Sequence, residues 1–167
     1  MKTIIRDATL DDLSFLVGQF DEGVSGGHFA GQPGVPTARI WHEWLRKRLM
    51  VRKCFRPDGS FIVEQVRIAT SIAEVDGKPV GLLLSSPETP ADTSAIEIYM
   101  LSVLKSVRRQ GVASALIRVE EHRHVAGTTF YARCYPKSTW AIGFLQKHGY
   151  RVERISPDSG MHYLRKP

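Results

Sequence analysis

The sequence predicts one mixed α/β domain over residues 1–167, with a mixed sheet and the element order β-α-α-β-β-β-α-β-α-β-β. Three observations predict it. Apolar residues recur at helical spacing in some stretches and as short strand-like runs between turn signals in others. A chain of 167 residues, 43% hydrophobic and 24% charged, is long enough and apolar enough to bury a core. No internal repeat, linker or low-complexity tract divides it.

Lys2 to Arg6 alternates and reads as a first strand. Thr9 or Asp11 can cap a helix from Leu10 to about Phe20, whose Leu13, Leu16, Val17 and Phe20 share one face. Glu22 to Pro36 reads as a loop holding Gly23, Gly26, Gly27, Gly31, Gly34, Pro33 and Pro36, and loops this long are often functional. A helix from about Thr37 to Val51 follows, closed by Arg56-Pro57-Asp58-Gly59. Strand-like segments are Phe61–Val66, Ile68–Val75 and Pro79–Ser85, with Asp76-Gly77 as a hairpin turn. After the polar break Pro87 to Ser94 comes a strand, Ala95–Leu104, and a helix from about Gly111 to His124, with Val112, Leu116 and Val119 at i, i+4 and i+7. Thr128–Tyr135 reads as a strand and Thr139–His148 as a helix. Tyr150–Ile155 and Met161–Leu164 close the chain as a hairpin around Pro157-Asp158-Ser159-Gly160.

Two cysteines, Cys54 and Cys134, make no disulfide framework and favour a reducing cytoplasm. The start of the chain has no apolar signal region, because Arg6, Asp7, Asp11 and Asp12 interrupt it, and no apolar run approaches the ~18 residues that span a bilayer. The expectation is a cytoplasmic protein with no membrane contact. A net charge of +6 and a pI near 9.5 favour polyanionic partners: a phosphate-rich cofactor first, nucleic acid as the lesser alternative. The densest basic run, Arg46 to Lys53, reads as the solvated face of the second helix. His122 and His124 beside Glu120 and Glu121 predict no metal site, since i and i+2 do not share a helical face.

The most informative stretch is Leu101-Ser102-Val103 through Arg108-Arg109-Gln110-Gly111-Val112-Ala113-Ser114, where a strand passes through a basic turn into a helix. A helix N-terminus exposes unsatisfied N–H groups and about half a positive charge, so it attracts phosphate. Small residues let an anion approach, and Arg108 and Arg109 add charge. A P-loop needs Gly-Lys-Ser/Thr and a dinucleotide fingerprint needs three glycines; neither stands here.

Arg108-x-x-Gly111-x-Ala113 resembles the Gln/Arg-x-x-Gly-x-Gly/Ala signature of the GCN5-related N-acetyltransferases (the GNAT superfamily), which bind the pyrophosphate of acetyl-coenzyme A. Ser138-x-x-Ala141-x-x-Phe144-Leu145-x-x-x-Gly149-Tyr150 resembles the family's second signature, Asn-x-x-Ala-x-x-Phe-Tyr-x-x-x-Gly-Phe. The resemblance covers residues 60 to 156 well and the first 55 only in element order. It implies the GNAT fold and an acetyl-CoA-dependent transfer to a primary amine, on a small molecule or a peptide, by direct attack in a ternary complex. It also implies that backbone groups of Leu101 and Val103 hold the pantetheine arm and that amides from Arg109 to Ser114 hold the pyrophosphate. Ala141, Phe144 and Lys147 would then lie near the cofactor's far end.

Two positions depart from the family pattern. Ser138 stands where the family has an asparagine on the pantetheine, and Leu145 where many members have a tyrosine that protonates the leaving thiolate. Tyr135 is the candidate acid in its place, with Tyr131, Cys134 and Ser138 also near in sequence. An amine of pKa ~10.4 costs ~4.6 kcal/mol to neutralise at pH 7, so a base or a water chain is useful. Glu97 is the candidate base; it shares a face with Tyr99, Leu101 and Val103 if the strand is regular, whereas a bulge would shift that. His28, His42, Glu43 and Trp44 are weaker candidates for an acceptor pocket. Cys134 as an acyl carrier lacks an evident base. Two alternatives remain beside the enzyme: a degenerate acyl-CoA-binding domain, and an acetyltransferase directed at RNA or the ribosome. A homodimer is compatible with the sequence.

Overall fold

The computed structural model describes residues 2–31, 35–55 and 60–167. Pro33, Gly34 and the expected turn Arg56–Gly59 lie outside the described residues. Strand β1 is Thr3–Asp7. At the next turn the Asp12 Oδ2 accepts the Thr9 N–H at 2.8 Å, and a 3₁₀ turn over Leu10–Asp12 leads into α1, Leu13–Ser25. Thr9, one of the two caps the sequence suggests, stands at the N-cap position, and Asp12 completes a capping box by accepting from its N–H. The helix also continues past Phe20 into the expected loop. Gly23 in this added turn leaves room for Phe29, because a Cβ there would fall 2.2 Å from the ring that packs against it.

Helix α2 spans Val35–Lys47 and not, as expected, Thr37 to Val51. Arg48 adopts a left-handed conformation (φ 52°), which ends the helix. The residues after it alternate: Met50 and Cys54 are buried, while Val51 and Lys53 are exposed. They form β2, Leu49–Phe55, which pairs antiparallel with β3, Phe61–Arg67. The basic run is therefore split between a helix end and a strand. β4 (Ala69–Val75), β5 (Lys78–Pro87) and β6 (Ala95–Val103) follow, then α3 (Val112–His122), β7 (Thr129–Cys134), α4 (Thr139–Lys147), β8 (Arg151–Ile155) and β9 (His162–Lys166). Five strands stand between α2 and α3; β3 to β6 match the expected segments Phe61–Val66, Ile68–Val75, Pro79–Ser85 and Ala95–Leu104, and the unexpected one is β2, which makes a separate hairpin with β3.

The remaining seven strands make one mixed sheet in the order β1-β4-β5-β6-β7-β9-β8, parallel only between β6 and β7. One face packs on α3 and α4 through Leu83, Ile96, Ile98, Leu116, Ile117 and Leu145. The other packs on α1, α2 and the hairpin through Leu16, Trp41, Met50, Val66, Ile72 and Leu84. Burial of each such side chain stabilises by roughly 1.5–3 kcal/mol. Among the described residues no helix is long and apolar enough to cross a membrane. Both cysteines are buried and unpaired with each other.

Arg6 ties the sheet edge to α1: its Nη1 and Nη2 donate to the two Asp12 oxygens at 2.7 and 2.8 Å, and its Nε donates to Glu74 on β4 at 2.9 Å. The Arg6 hydrogen bonds hold the buried Asp12 carboxyl below the usual carboxylate range, against its desolvation. Asp12→Ala is expected to lower stability by about 1.5–3 kcal/mol. Because the folded-state pKa is depressed, this contribution is complete above the unfolded value near ~3.9 and fades as pH falls through it toward the folded value. Denaturant melts of both proteins at neutral pH and near pH 3 check this: the gap between them should narrow in acid.

Candidate functional site

The site begins where two strands part. β6 and β7 pair only at Ala95 with Thr129, Ile96 with Phe130 and Glu97 with Tyr131. β6 then runs on to Val103 against β5, while the chain after β7 turns at Tyr135–Ser138 into α4. The Leu104 N–H bonds to Val80 on the β5 side, so by alternation the backbone groups of Leu101 and Val103 face the opening. One of them is in use already: the Val103 carbonyl accepts the Arg108 Nε–H at 3.0 Å.

A β-bulge sorts the side chains of β6. Leu84 pairs with Met100 and Ser85 with Ile98, so Tyr99 is the extra residue. Ile96 and Ile98 consequently lie in the same core as Leu101 and Val103, under α3 and α4. Glu97 lies on the opposite face, where Met100 packs and where Ser102 Oγ donates to Gln19 of α1 at 2.8 Å. The face that a regular strand would share among Glu97, Leu101 and Val103 does not exist here.

Glu97 is 2% exposed and fully engaged. Its Oε2 accepts from Arg52 Nη2 at 2.6 Å, its Oε1 from Arg133 Nε at 2.6 Å, and its Oε2 also from Arg133 Nη2 at 3.1 Å and the Tyr131 hydroxyl at 3.3 Å. Arg52 comes from the β2–β3 hairpin on the inward face shared with Met50 and Cys54, and donates further to Ser86 Oγ and the Pro87 carbonyl. Burial works against the charge on Arg52 and Arg133, and the Glu97 carboxylate more than offsets it, so both stay above the usual arginine value. Burial and the same carboxylate push the Tyr131 phenol up.

Three cavities join end to end along the opening. One of about 470 Å³ lies between the turn after β6, α3 and α4, and is lined by Arg108, Arg109, Gly111, Ser114, Phe144 and Lys147 among others. The first intrahelical bond of α3 is Ala115 N–H to Gly111 O, so the amides of Val112, Ala113 and Ser114 have no acceptor within the helix. Val112 and Ala113 bury their side chains in the core, so those residues can offer a ligand only backbone. Gly111 has φ 84° and nothing within 4 Å of where a Cβ would stand, so the approach to these amides is open. Trp140, Phe144 and His148 stack along α4 at centroid spacings of 5.5 and 4.2 Å, and Arg108 lies over the Trp140 ring. The middle cavity, about 420 Å³, runs past Leu101, Ser102 and Val103. The innermost, about 220 Å³, is lined by Glu97, Tyr99, Arg133, Cys134, Tyr135 and Met161 among others.

The middle and inner cavities meet at Leu101, Ala141, His28 and Ser138. His28, from the segment after α1, reaches across the groove, its Nδ1 3.1 Å from Ser138 Oγ. Ser138 occupies the N-cap position of α4 but makes no side-chain cap; its hydroxyl serves His28 instead. Leu145 is 2% exposed and packs in the core. The Cys134 thiol, pushed up to about 11 chiefly by burial, is not poised as a nucleophile.

With this geometry in view, comparison with known proteins is decisive on family. The pattern of the Acetyltransferase (GNAT) family matches residues 34–150. The chain belongs to the GNAT acetyltransferase family. Solved structures of similar fold align along nearly the whole chain. A ribosomal-protein-alanine N-acetyltransferase from Brucella melitensis has a TM-score of 0.72 at 19% identity, covering 98% of both chains. A GCN5-related N-acetyltransferase from Kribbella flavida has 0.73 at 21%, covering 99% of this chain and 97% of that one. The PaiA N-acetyltransferase from Thermoplasma acidophilum, solved in complex with coenzyme A, has 0.65 at 13%, covering 99% of each. At these identities the likeness is one of fold. N-acetyltransferase family 8 member 2 of Rattus norvegicus is 32% identical over 81 residues, which is 46% of this chain and 36% of that protein.

In this GNAT domain the cofactor and catalytic candidates read from sequence line one groove, with one exception, and of the weaker acceptor-pocket candidates His28 borders it while His42, Glu43 and Trp44 do not. Leu101, Ser102, Val103, Arg108, Arg109, Gly111, Val112, Ala113, Ser114, Ser138, Ala141, Phe144 and Lys147 all border it, and Glu97 and Tyr135 border its inner end. Gln110 does not; its Nε2 donates to the Ser106 carbonyl at 3.4 Å. Sequence reasoning missed Arg52, Arg133, Trp140 and His148. The i, i+4, i+8 spacing of Trp140, Phe144 and His148 could have found the aromatic row. Nothing local marks Arg52, whose partner is 45 residues away.

Proposed function

We propose that this chain is an acetyl-CoA-dependent N-acetyltransferase that passes an acetyl group directly to a primary amine. The observation that carries the reading is the continuous groove, which joins the free amides of α3 to an inner cavity through a neck spanned by His28 and Ser138. The residues fit the cofactor. Amides of Val112 to Ser114 with Arg108, Arg109 and Lys147 suit a pyrophosphate and its neighbouring phosphate, Trp140 and Phe144 offer flat surface to the adenine, and the backbone of Leu101 suits the pantetheine amides. Bound acetyl-CoA supplies the activated acetyl group as a thioester.

Within the chain, the division of labour follows from what each group still has free. The Glu97 oxygens are taken by guanidinium donors, so Glu97 acts as the structural anchor of Arg52 and Arg133. His28 takes the proton from the incoming amine, and Ser138 orients its ring. The Tyr135 phenol, on the wall of the inner cavity, protonates the departing thiolate in place of the buried Leu145. A rival reading, a domain that binds acetyl-CoA without transfer, draws on that buried Leu145. Release of free thiol from acetyl-CoA in the presence of a panel of primary amines, with the acetylated product identified by mass, separates the two: tight binding with no amine consumed would end the enzyme reading.

Gly111→Val tests the cradle. A β-branched residue at this left-handed φ is strained by roughly 1–2 kcal/mol, and its side chain would stand in the approach to the amides. Calorimetry should find coenzyme A bound about tenfold more weakly or worse, with the acetyl acceptor's KM changing less.

A further inference from the structure

Among the described residues, one part of the sheet has a packed layer on a single side. α3 and α4 pack on Phe130, Ala132, Cys134, Leu164 and Val152 of β7, β9 and β8, but the core under α1, α2 and the hairpin draws no described residue from these three strands. Strand register shows what faces out there. Tyr131 stands opposite Arg165, which stands opposite Arg151; Arg133 stands opposite Tyr163, which stands opposite Arg154. Arg154 lies 3.9 Å from the Tyr163 ring centroid, which confirms the shared face. Arg151, Arg154 and Arg165 are exposed, and Arg133 carries the row to the wall of the inner cavity. Among the described residues the row meets Glu97, which also holds Arg52, the bulged Glu153, which pairs with Arg165 at 3.2 Å, and Glu88, whose charge acts on Tyr131.

We propose that this face docks an acidic segment of a peptide whose primary amine enters the cavity beside Arg133. The proposal rests on the acetyl-transfer reading for what happens to the amine, and on the arginine row for the docking. Arginine forks match carboxylates in a bidentate geometry. A peptide brings both the acidic groups and an aliphatic amine on one molecule, whereas nucleic-acid bases carry no such amine. Arg154 already covers the Tyr163 ring, which removes one platform on which a nucleic-acid base would stack. Single exposed pairs contribute little, so the preference is the sum over several.

The test is fluorescence anisotropy with two labelled peptides that share a free N-terminal amine, one with a run of Asp and Glu, the other with Asn and Gln in their places. The acidic peptide should bind about tenfold more tightly at low salt, and the advantage should shrink toward one as salt rises to about 0.5 M. Arg151→Gln with Arg154→Gln should abolish most of the advantage, and the corresponding double lysine variant should keep much of it; coenzyme A binding reports that each variant is folded. Equal binding of the two peptides overturns the proposal. So does a single-stranded RNA that binds more tightly than the acidic peptide and loses that binding in the glutamine variant. Acetylation of the same peptides is read separately by mass. Acidic preference with no acetyl transfer to these peptides or to the panel of primary amines leaves the docking face and removes the transferase reading; transfer to both peptides with no difference in binding does the reverse.

Discussion

Glu97→Gln is expected to lower stability by about 3–5 kcal/mol, because it leaves two largely buried guanidiniums facing a neutral amide. For a chain of this size that is a fall in melting temperature of about 6–20 °C. A free general base at this position would behave differently: its loss would cut kcat and leave the melting temperature nearly unchanged. Thermal melts and initial rates on the same preparation tell the two apart. Arg52→Met should reproduce much of the destabilisation, since it strips the carboxylate of its 2.6 Å partner and unlinks the β2–β3 hairpin from the sheet. A stable Glu97→Gln protein would refute the anchoring role and return Glu97 to the list of bases.

The second large effect belongs to His28. A positioned acid or base is worth about 10²–10⁴ in rate, so His28→Ala should cut kcat by roughly a hundredfold or more. Because the group acts on the amine's proton and not on ground-state binding, kcat and kcat/KM should fall together. Ser138→Ala should give a smaller loss of kcat, as befits a residue that only orients the ring. A variant lacking His28 with an unaltered kcat would assign the proton to water.

The two residues differ in how far they could be read from sequence, and the reason is geometric. The strand–turn–helix around Gly111 was legible because its signals are local: an apolar strand, paired arginines, a glycine at the one position with φ 84° and a helix behind it. The groove's outer and middle walls followed from that. The role of Glu97 was not legible, since it depends on one bulged residue, Tyr99, that flips the strand's faces. It depends also on Arg52, placed by a strand that sequence reads as the end of a helix. Leu49 to Phe55 carries three basic or apolar neighbours at a time and only a weak alternation, so helix propensity outweighs it until Arg48 breaks the turn. His28 was visible as a histidine in a glycine-rich segment, but its partner is 110 positions away. The arginine row on β7, β9 and β8 shows no pattern along the chain at all; it appears only when three strands are set side by side.

A crystal structure with coenzyme A bound tests the central claim most directly. The pyrophosphate should lie on the amides of Val112 to Ser114, the pantetheine should run beside Leu101, and the sulfur should end at the neck formed by His28 and Ser138. A cofactor seated elsewhere, or a thiol directed away from that neck, would contradict the account.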